Sequence, residues 1–313
     1  MSLTRRQFII AVSGVPGVWL LTSTRGSAAT WRRGTDAPTR RSEVAAAALG
    51  GKIYVVGGFG GGTGGLTEAY DPVADRWERR AALPVGLHHT AAVALDTRLF
   101  VVGGYRDGWS AERTVFAYDP AADRWQARRP MPTARGALTA VVQGGKVYAF
   151  GGAAGGRNST ATEVYDPSGD TWQARASLPT GRDHHASAVV GEKIYVIGGR
   201  INGSYARNLG VVEAYDPGAD TWRVRAPMST PRSGIGAAAL GGKIYVVGGE
   251  APEGTFPHVE IFDPAANRWS RGPDLPTPRH GLGVVAYQGR LFVLAGGPTP
   301  GGSASAVVEI LEP

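Results

Sequence analysis

Short apolar runs, stopped by glycine pairs and Asp-Pro dipeptides, punctuate this chain from residue 44 to its end, and no helical period interrupts them. Residues 51–84 show the unit. Ile53–Val56 is an apolar run halted by Gly57-Gly58, a glycine-rich stretch follows, a second run ends in Tyr70-Asp71-Pro72, and a third segment carries Trp77. Val, Ile, Tyr and Trp favour strands, while Gly, Asp and Pro set turns. A run of small residues, Val44–Leu49, precedes the unit. The pattern therefore predicts four short strands, here called a to d.

The unit recurs. Glycine pairs end an apolar run at 57–58, 103–104, 151–152, 198–199, 248–249 and 296–297. Tyr-Asp-Pro stands at 70–72, 118–120, 165–167 and 215–217, with Phe262-Asp263-Pro264 and Leu311-Glu312-Pro313 as its fifth and sixth forms. Trp31, Trp77, Trp125, Trp172, Trp222 and Trp269 keep the same period. Four-strand units of this length, with Gly-Gly, Tyr and Trp in this order, resemble kelch repeats over residues 31–313. The resemblance implies an all-β fold, a six-bladed β-propeller of four-stranded antiparallel blades. Small residues suit inner strands crowded at an axis, and Trp rings suit the widening wedges outside. The sixth unit stops before a tryptophan strand, while residues 30–35 begin Thr30-Trp31-Arg32-Arg33. These residues are expected to complete the last blade and close the ring.

Composition narrows the class. A 313-residue chain that is 42% hydrophobic can bury a core, so disorder is excluded. Residues 1–29 read as an export signal. Thr4-Arg5-Arg6-Gln7-Phe8-Ile9 resembles the twin-arginine motif, Phe8–Leu21 is uncharged and mostly apolar, and Ser27-Ala28-Ala29 suits a signal peptidase. A bacterial periplasmic or secreted protein is expected, with residues 30–313 as its single domain and no membrane contact beyond the signal. An uncleaved N-terminal anchor is the alternative. Asn158-Ser159-Thr160 and Asn202-Gly203-Ser204 match the glycosylation sequon, which is not expected to be used in a bacterium. The formal charge of +7 falls to +4 without Arg5, Arg6 and Arg25, and no basic run is present. Nucleic acid is therefore not an expected partner. The absence of cysteine excludes disulfides, thiolate metal sites and a Cys nucleophile. It also removes the Tyr–Cys cofactor of galactose oxidase, another kelch protein.

The two faces differ. In an antiparallel blade the d–a and b–c connections share one face, and the a–b and c–d turns share the other. The second face is uniform, so Lys52, Lys146, Lys193 and Lys243 read as turn residues. The b–c loops vary, and variable loops on a constant scaffold usually carry function. Arg41, Arg135, Arg182, Arg232 and Arg279 repeat before strand a, and Glu68, Glu163, Glu213, Glu260 and Glu309 repeat in strand c. In the second unit both positions turn apolar together, as Leu87 and Phe116. Joint loss points to intrablade ion pairs, because a lone buried charge is costly. A ligand-binding arginine ring is the competing reading.

Candidate site residues are those that break the repeat. Glu43, His89 and His184 share one position at the start of strand a and are candidate acid–base groups. His88, Asp183, His185 and His280 lie near them. Arg106, Trp109, Arg157, Asn158, Arg200, Tyr205 and Arg207, in the loops, are candidate ligand contacts. No metal and no cofactor are expected, because Glu43, His89 and His184 come from separate blades with no close-spaced ligand pair. The preferred reading is a binding module for a protein or glycan on the loop face, monomeric or weakly oligomeric. The alternative is a periplasmic sugar-acid mutarotase or epimerase, similar in architecture to N-acetylneuraminate epimerase.

Overall fold

The computed structural model describes residues 29–62 and 64–312. The expected export signal, residues 1–29, lies outside the described residues apart from Ala29. Six four-stranded antiparallel sheets surround one axis, each ordered a–b–c–d from the inside outwards. In blade 1 these strands are Ala45–Leu49, Lys52–Val56, Thr67–Asp71 and Arg76–Arg80. The innermost strand of each blade packs on that of the next, and blade 6 packs on blade 1. Strands b and c lie between two neighbouring blades and are buried on both sides, which is why their runs are continuously apolar.

Ring closure follows the sequence expectation. Blade 6 consists of Gly283–Tyr287, Arg290–Leu294, Val308–Glu312 and, as its outer strand, Thr30–Arg33. Trp31 pairs with Leu311 and Arg32 with Ile310. One expectation is corrected. The glycine pair of blade 6 is structurally Ala295-Gly296, not Gly296-Gly297. Ala295 follows strand b directly and has φ 56°, the conformation that Gly57 and its equivalents adopt after theirs. The N–H of Ala295 donates to Val307 O as that of Gly57 donates to Leu66 O.

A two-point clasp joins consecutive blades. The indole of Trp125 donates to Ala81 O at 2.9 Å, and the carboxylate of Asp123 accepts from Ala81 N at 3.0 Å. Trp77 and Asp75 hold Thr35 in the same way, Trp172 and Asp170 hold Arg129, and Trp222 and Asp220 hold Ala176. Each of these aspartates also accepts the hydroxyl of its own blade's Tyr-Asp-Pro tyrosine. Blade 5 has Phe262 in that place, and its clasp residue is the neutral Asn267. At the seam Trp31 donates to Pro273 O, a residue with no N–H to be claimed.

Five fully buried Arg–Glu pairs brace the blades. Arg41–Glu68, Arg135–Glu163, Arg182–Glu213 and Arg279–Glu309 lie at 2.7, 2.8, 2.9 and 2.8 Å, and Arg232 pairs with Glu260. All five arginines are fully buried, so no guanidinium ring faces a ligand. Thr39, Thr133, Thr180 and Thr277 donate to the same glutamates. In blade 2 the Thr, Arg and Glu positions are Val85, Leu87 and Phe116, which join one apolar cluster. The lysines, expected in the turns, instead open strand b directly after them, each paired with the last residue of strand a. Lys52 pairs with Glu78 at 2.6 Å, Lys146 with Asp166 at 2.8 Å, and Lys193 with Asp216.

Two tests follow from this architecture. Arg135→Leu alone, which strands a buried carboxylate, is expected to cost about 3–5 kcal/mol in urea unfolding, while Arg135→Leu with Glu163→Phe recovers most of it. Deleting residues 30–38 removes the outer strand of blade 6 and is expected to lower the thermal midpoint of the whole propeller; an unchanged midpoint would contradict this route of closure.

Candidate active site

The site begins with a backbone constraint. Glu43, His89, Ala137, His184, Gly234 and Gly281 occupy one repeat position, one per blade, with φ of 50°, 53°, 51°, 51°, 63° and 55°. Each hands a hydrogen bond around the axis. His89 N donates to Glu43 O at 3.0 Å, Ala137 N to His89 O at 2.8 Å and His184 N to Ala137 O at 3.1 Å. Gly234 N then donates to His184 O and Gly281 N to Gly234 O, both at 2.9 Å, and Val44 N closes the circle on Gly281 O at 3.4 Å. Left-handed backbone favours glycine, and a side chain there costs of order 1–2 kcal/mol. Blades 5 and 6 use glycine. Blades 1, 2 and 4 instead place Glu43, His89 and His184 there, and such strain often marks functional sites.

A second circuit, of side chains, runs over this ring. Glu43 Oε2 lies 3.4 Å from His89 Nε2, and Glu43 Oε1 lies 3.5 Å from His280 Nε2. The His89 and His184 rings are 4.9 Å apart. His184 Nδ1 meets Asp183 Oδ1 at 2.6 Å, while its Nε2 faces Arg200 Nη2 at 2.9 Å. A guanidinium only donates, so Nε2 accepts and Nδ1 carries the hydrogen towards Asp183. Arg200 also reaches Asp183 at 3.2 Å and Glu250 at 2.8 Å. Glu250 lies 3.6 Å from His280, which returns the circuit to Glu43. His280 faces Gly297 O at 3.0 Å through Nδ1 and Gly301 O at 2.9 Å through Nε2. Bridges from each d–a segment to its own blade's b–c loop, such as Asp183↔Arg200 and Ser233↔Glu250, carry these residues inwards.

The electrostatics follow from burial. Burial by itself raises the Glu43 carboxyl, but His89, His184, His280 and Arg200 outweigh it and bring it down to about 2. Burial pushes His89 well below its ordinary value and lowers His88 as well. Asp183 is held low against its burial by His184, Gly203 N–H and Asn158. Burial would lower Arg200, yet Glu250, Asp183 and Glu43 raise it.

An aromatic wall stands beside the circuit. Trp109 is 55% exposed, with φ 63°, and its ring lies 5.0 Å from His88, 5.1 Å from His89 and 6.2 Å from Phe59. Tyr205 lies under the Arg200 guanidinium at 4.4 Å. The axial cavity, about 160 Å³, is lined by Glu43, His89 and His184 at the ring and by small residues of the inner strands.

The structure thus gathers Glu43, His89, His184, Arg200, Trp109 and Tyr205, with Asn158 donating to Asp183 from its hairpin. It leaves Arg106 outside, paired with Glu112 at 2.7 Å, and Arg157 and Arg207 exposed on their hairpins. Glu250 is a member of the circuit that the repeat pattern does not single out. Its signal is its place directly after a glycine pair, the place Arg200 also holds. The sequence argument against a metal fails in one respect, because residues from separate blades do converge. Ligand atoms of Glu43, His89 and His184, and of Glu43, Glu250 and His280, lie within 4.8 Å of one another. A cation in the first set would compete with Arg200 for His184 Nε2.

The KLHDC2/KLHL20/DRC7 Kelch-repeats domain matches residues 78–229 and 173–308, and the Kelch motif matches residues 40–84. No curated protein matches the chain. The solved structure of YjhT is similar with a TM-score of 0.76 and 19% identity, over 87% of this chain and 95% of that one.

The depressed Glu43 carboxyl has a consequence for stability. A folded value near 2 against 4.5 contributes stability that is full above 4.5 and is lost as pH falls towards 2. Urea unfolding across that window is expected to show a shallower pH slope for Glu43→Gln than for the parent.

Proposed function

This chain belongs to the kelch-repeat family, and on that scaffold we propose that the axial mouth of the loop face binds a small polyhydroxylated ligand and moves protons on it. The reaction class is that of a sugar mutarotase or epimerase. One observation carries this reading. Glu43, His89 and His184 stand in left-handed backbone at a position where two other blades use glycine, and their side chains converge. A face built only to hold a protein segment has no use for buried, mutually oriented imidazoles.

The roles follow from the hydrogen bonds. Ring opening of a cyclic sugar removes the proton of the anomeric hydroxyl and places a proton on the ring oxygen as the C–O bond breaks and the carbonyl forms. His184, oriented by Asp183, takes the first proton at Nε2 once the ligand displaces Arg200 Nη2 from it, and returns that proton to the ring oxygen. His89, whose Nδ1 meets His88 Nδ1 at 2.6 Å, turns Nε2 to the ligand's hydroxyls. Glu43 stays ionised and stabilises the His184 imidazolium while it lasts. Trp109 supplies the flat apolar face against which sugar C–H groups pack. Reclosure with the proton flow reversed inverts the anomer.

The coarser reading, a binding face for a glycan or a protein segment, uses the same wall without proton transfer. The exposure of Trp109 and the variable loops support it. NMR exchange spectroscopy of reducing sugars with the full-length protein separates the two. Faster anomer exchange is expected, falling about 10²–10⁴-fold in His89→Ala and His184→Ala. Binding with exchange no faster than in buffer would leave only the binding module.

A further inference from the structure

The ionised groups of the circuit differ in how well they are satisfied. Asp183 accepts from Arg200, Asn158 and Gly203 N–H, besides His184. Glu250 accepts from Arg200 and from Gly301 N–H at 3.1 Å. Glu43 has only the contacts at 3.4 and 3.5 Å to His89 and His280, with no hydrogen bond to its carboxylate among the described residues. Yet its side chain is 11% exposed. Its carboxylate lines the axial cavity, so its lone pairs are open to a donor on a ligand there. Gly281 keeps the space next to it clear, since a Cβ there would lie 2.5 Å from Glu43 Oε1.

The charge count has the same sign. Three carboxylates, Glu43, Asp183 and Glu250, share this circuit. Against them stands one permanent cation, the Arg200 guanidinium. Arg200 is already divided between Asp183 and Glu250, so it is not free for a ligand's carboxylate. Beyond His89 stands the Trp109 face, and aromatic faces attract cations.

Building on the carbohydrate reading, we propose that this site selects a protonated amine, that Glu43 is its counter-ion, and that the ligand class is an amino sugar rather than a sugar acid. The ligand's ammonium group would supply the missing donor and neutralise the surplus acid, with its sugar ring against Trp109.

Titration calorimetry of the full-length protein near pH 6.5 with glucosamine, glucose, N-acetylglucosamine and glucuronate tests this. Glucosamine is expected to bind about 10-fold or more tightly than glucose. N-acetylation, which removes the charge, should abolish that gain, and glucuronate should bind weakest. The four ligands are compared on the unaltered protein, so this result does not depend on a variant folding. Glu43→Gln should then remove the preference for glucosamine. Glucuronate binding as well as glucosamine, or a preference that survives Glu43→Gln, overturns the proposal. Methylammonium, followed by the part of the tryptophan fluorescence that Trp109→Phe removes, separates it from the reading on which it rests. A Glu43-dependent response without any sugar binding keeps the amine site and discards the carbohydrate. Sugar binding without charge preference does the reverse.

Discussion

Six blades meet at one axis, and each passes its neighbour a single backbone hydrogen bond there. The circle from Glu43 to Gly281 fixes six residues in left-handed conformation. That constraint governs what surrounds it. Inner strands must be thin, which accounts for the alanine-rich run Ala45–Ala48 and for Gly236 and Gly283 at the start of theirs. The d–a segments must enter at a common height, and their bridges to the b–c loops hold them there. Side chains placed on the circle have no choice but to converge, since their Cα atoms are fixed around one centre.

The remaining scaffold keeps the circle closed. Outside, the Trp–Asp clasp seizes both the N–H and the C=O of one residue in the preceding blade, leaving little freedom for blades to slide. Inside five of the six blades, the Arg–Glu pair ties the d–a segment to strand c and supplies donors to the carbonyls beneath the loop, as Arg41 does to Gly57 O at 2.7 Å. In blade 2 an apolar trio fills the same place, in keeping with the near balance between a buried ion pair and its apolar replacement. The arginine is thus one of two solutions to a packing problem.

Against that uniform background the site is a set of exceptions. Glu43, His89 and His184 stand where glycine or alanine suffices in the other blades. Arg200 and Glu250 replace Phe59, Tyr105 and Ala153 at the residue following the glycine pair. The blades carrying these exceptions, 1, 2, 4 and 5, are interrupted by blade 3, yet their side chains form one continuous circuit. The circuit satisfies nearly all of its own charges, which makes the under-satisfied Glu43 informative.

The repeat was legible because a propeller uses each blade's residues for the same contact, so Gly, Tyr, Asp, Trp and Lys recur at one spacing. In blade 2 the arginine and glutamate positions are lost together, as Leu87 and Phe116, and that joint loss exposed the ion pair by the same logic. Glu43, His89 and His184 were visible as departures from that spacing. What the sequence could not show was which departures touch. Arg106, Arg157 and Arg207 look as functional as Arg200, but they are exposed on their hairpins, whereas Arg200 is buried at the bridge to Asp183. Glu250 and His280, more than two hundred residues from Glu43 in the chain, meet it only because the ring closes. Local chemistry, set by strand and turn preferences, determined the blades; the partners across the axis were decided by closure, which brings together residues with no relation in sequence.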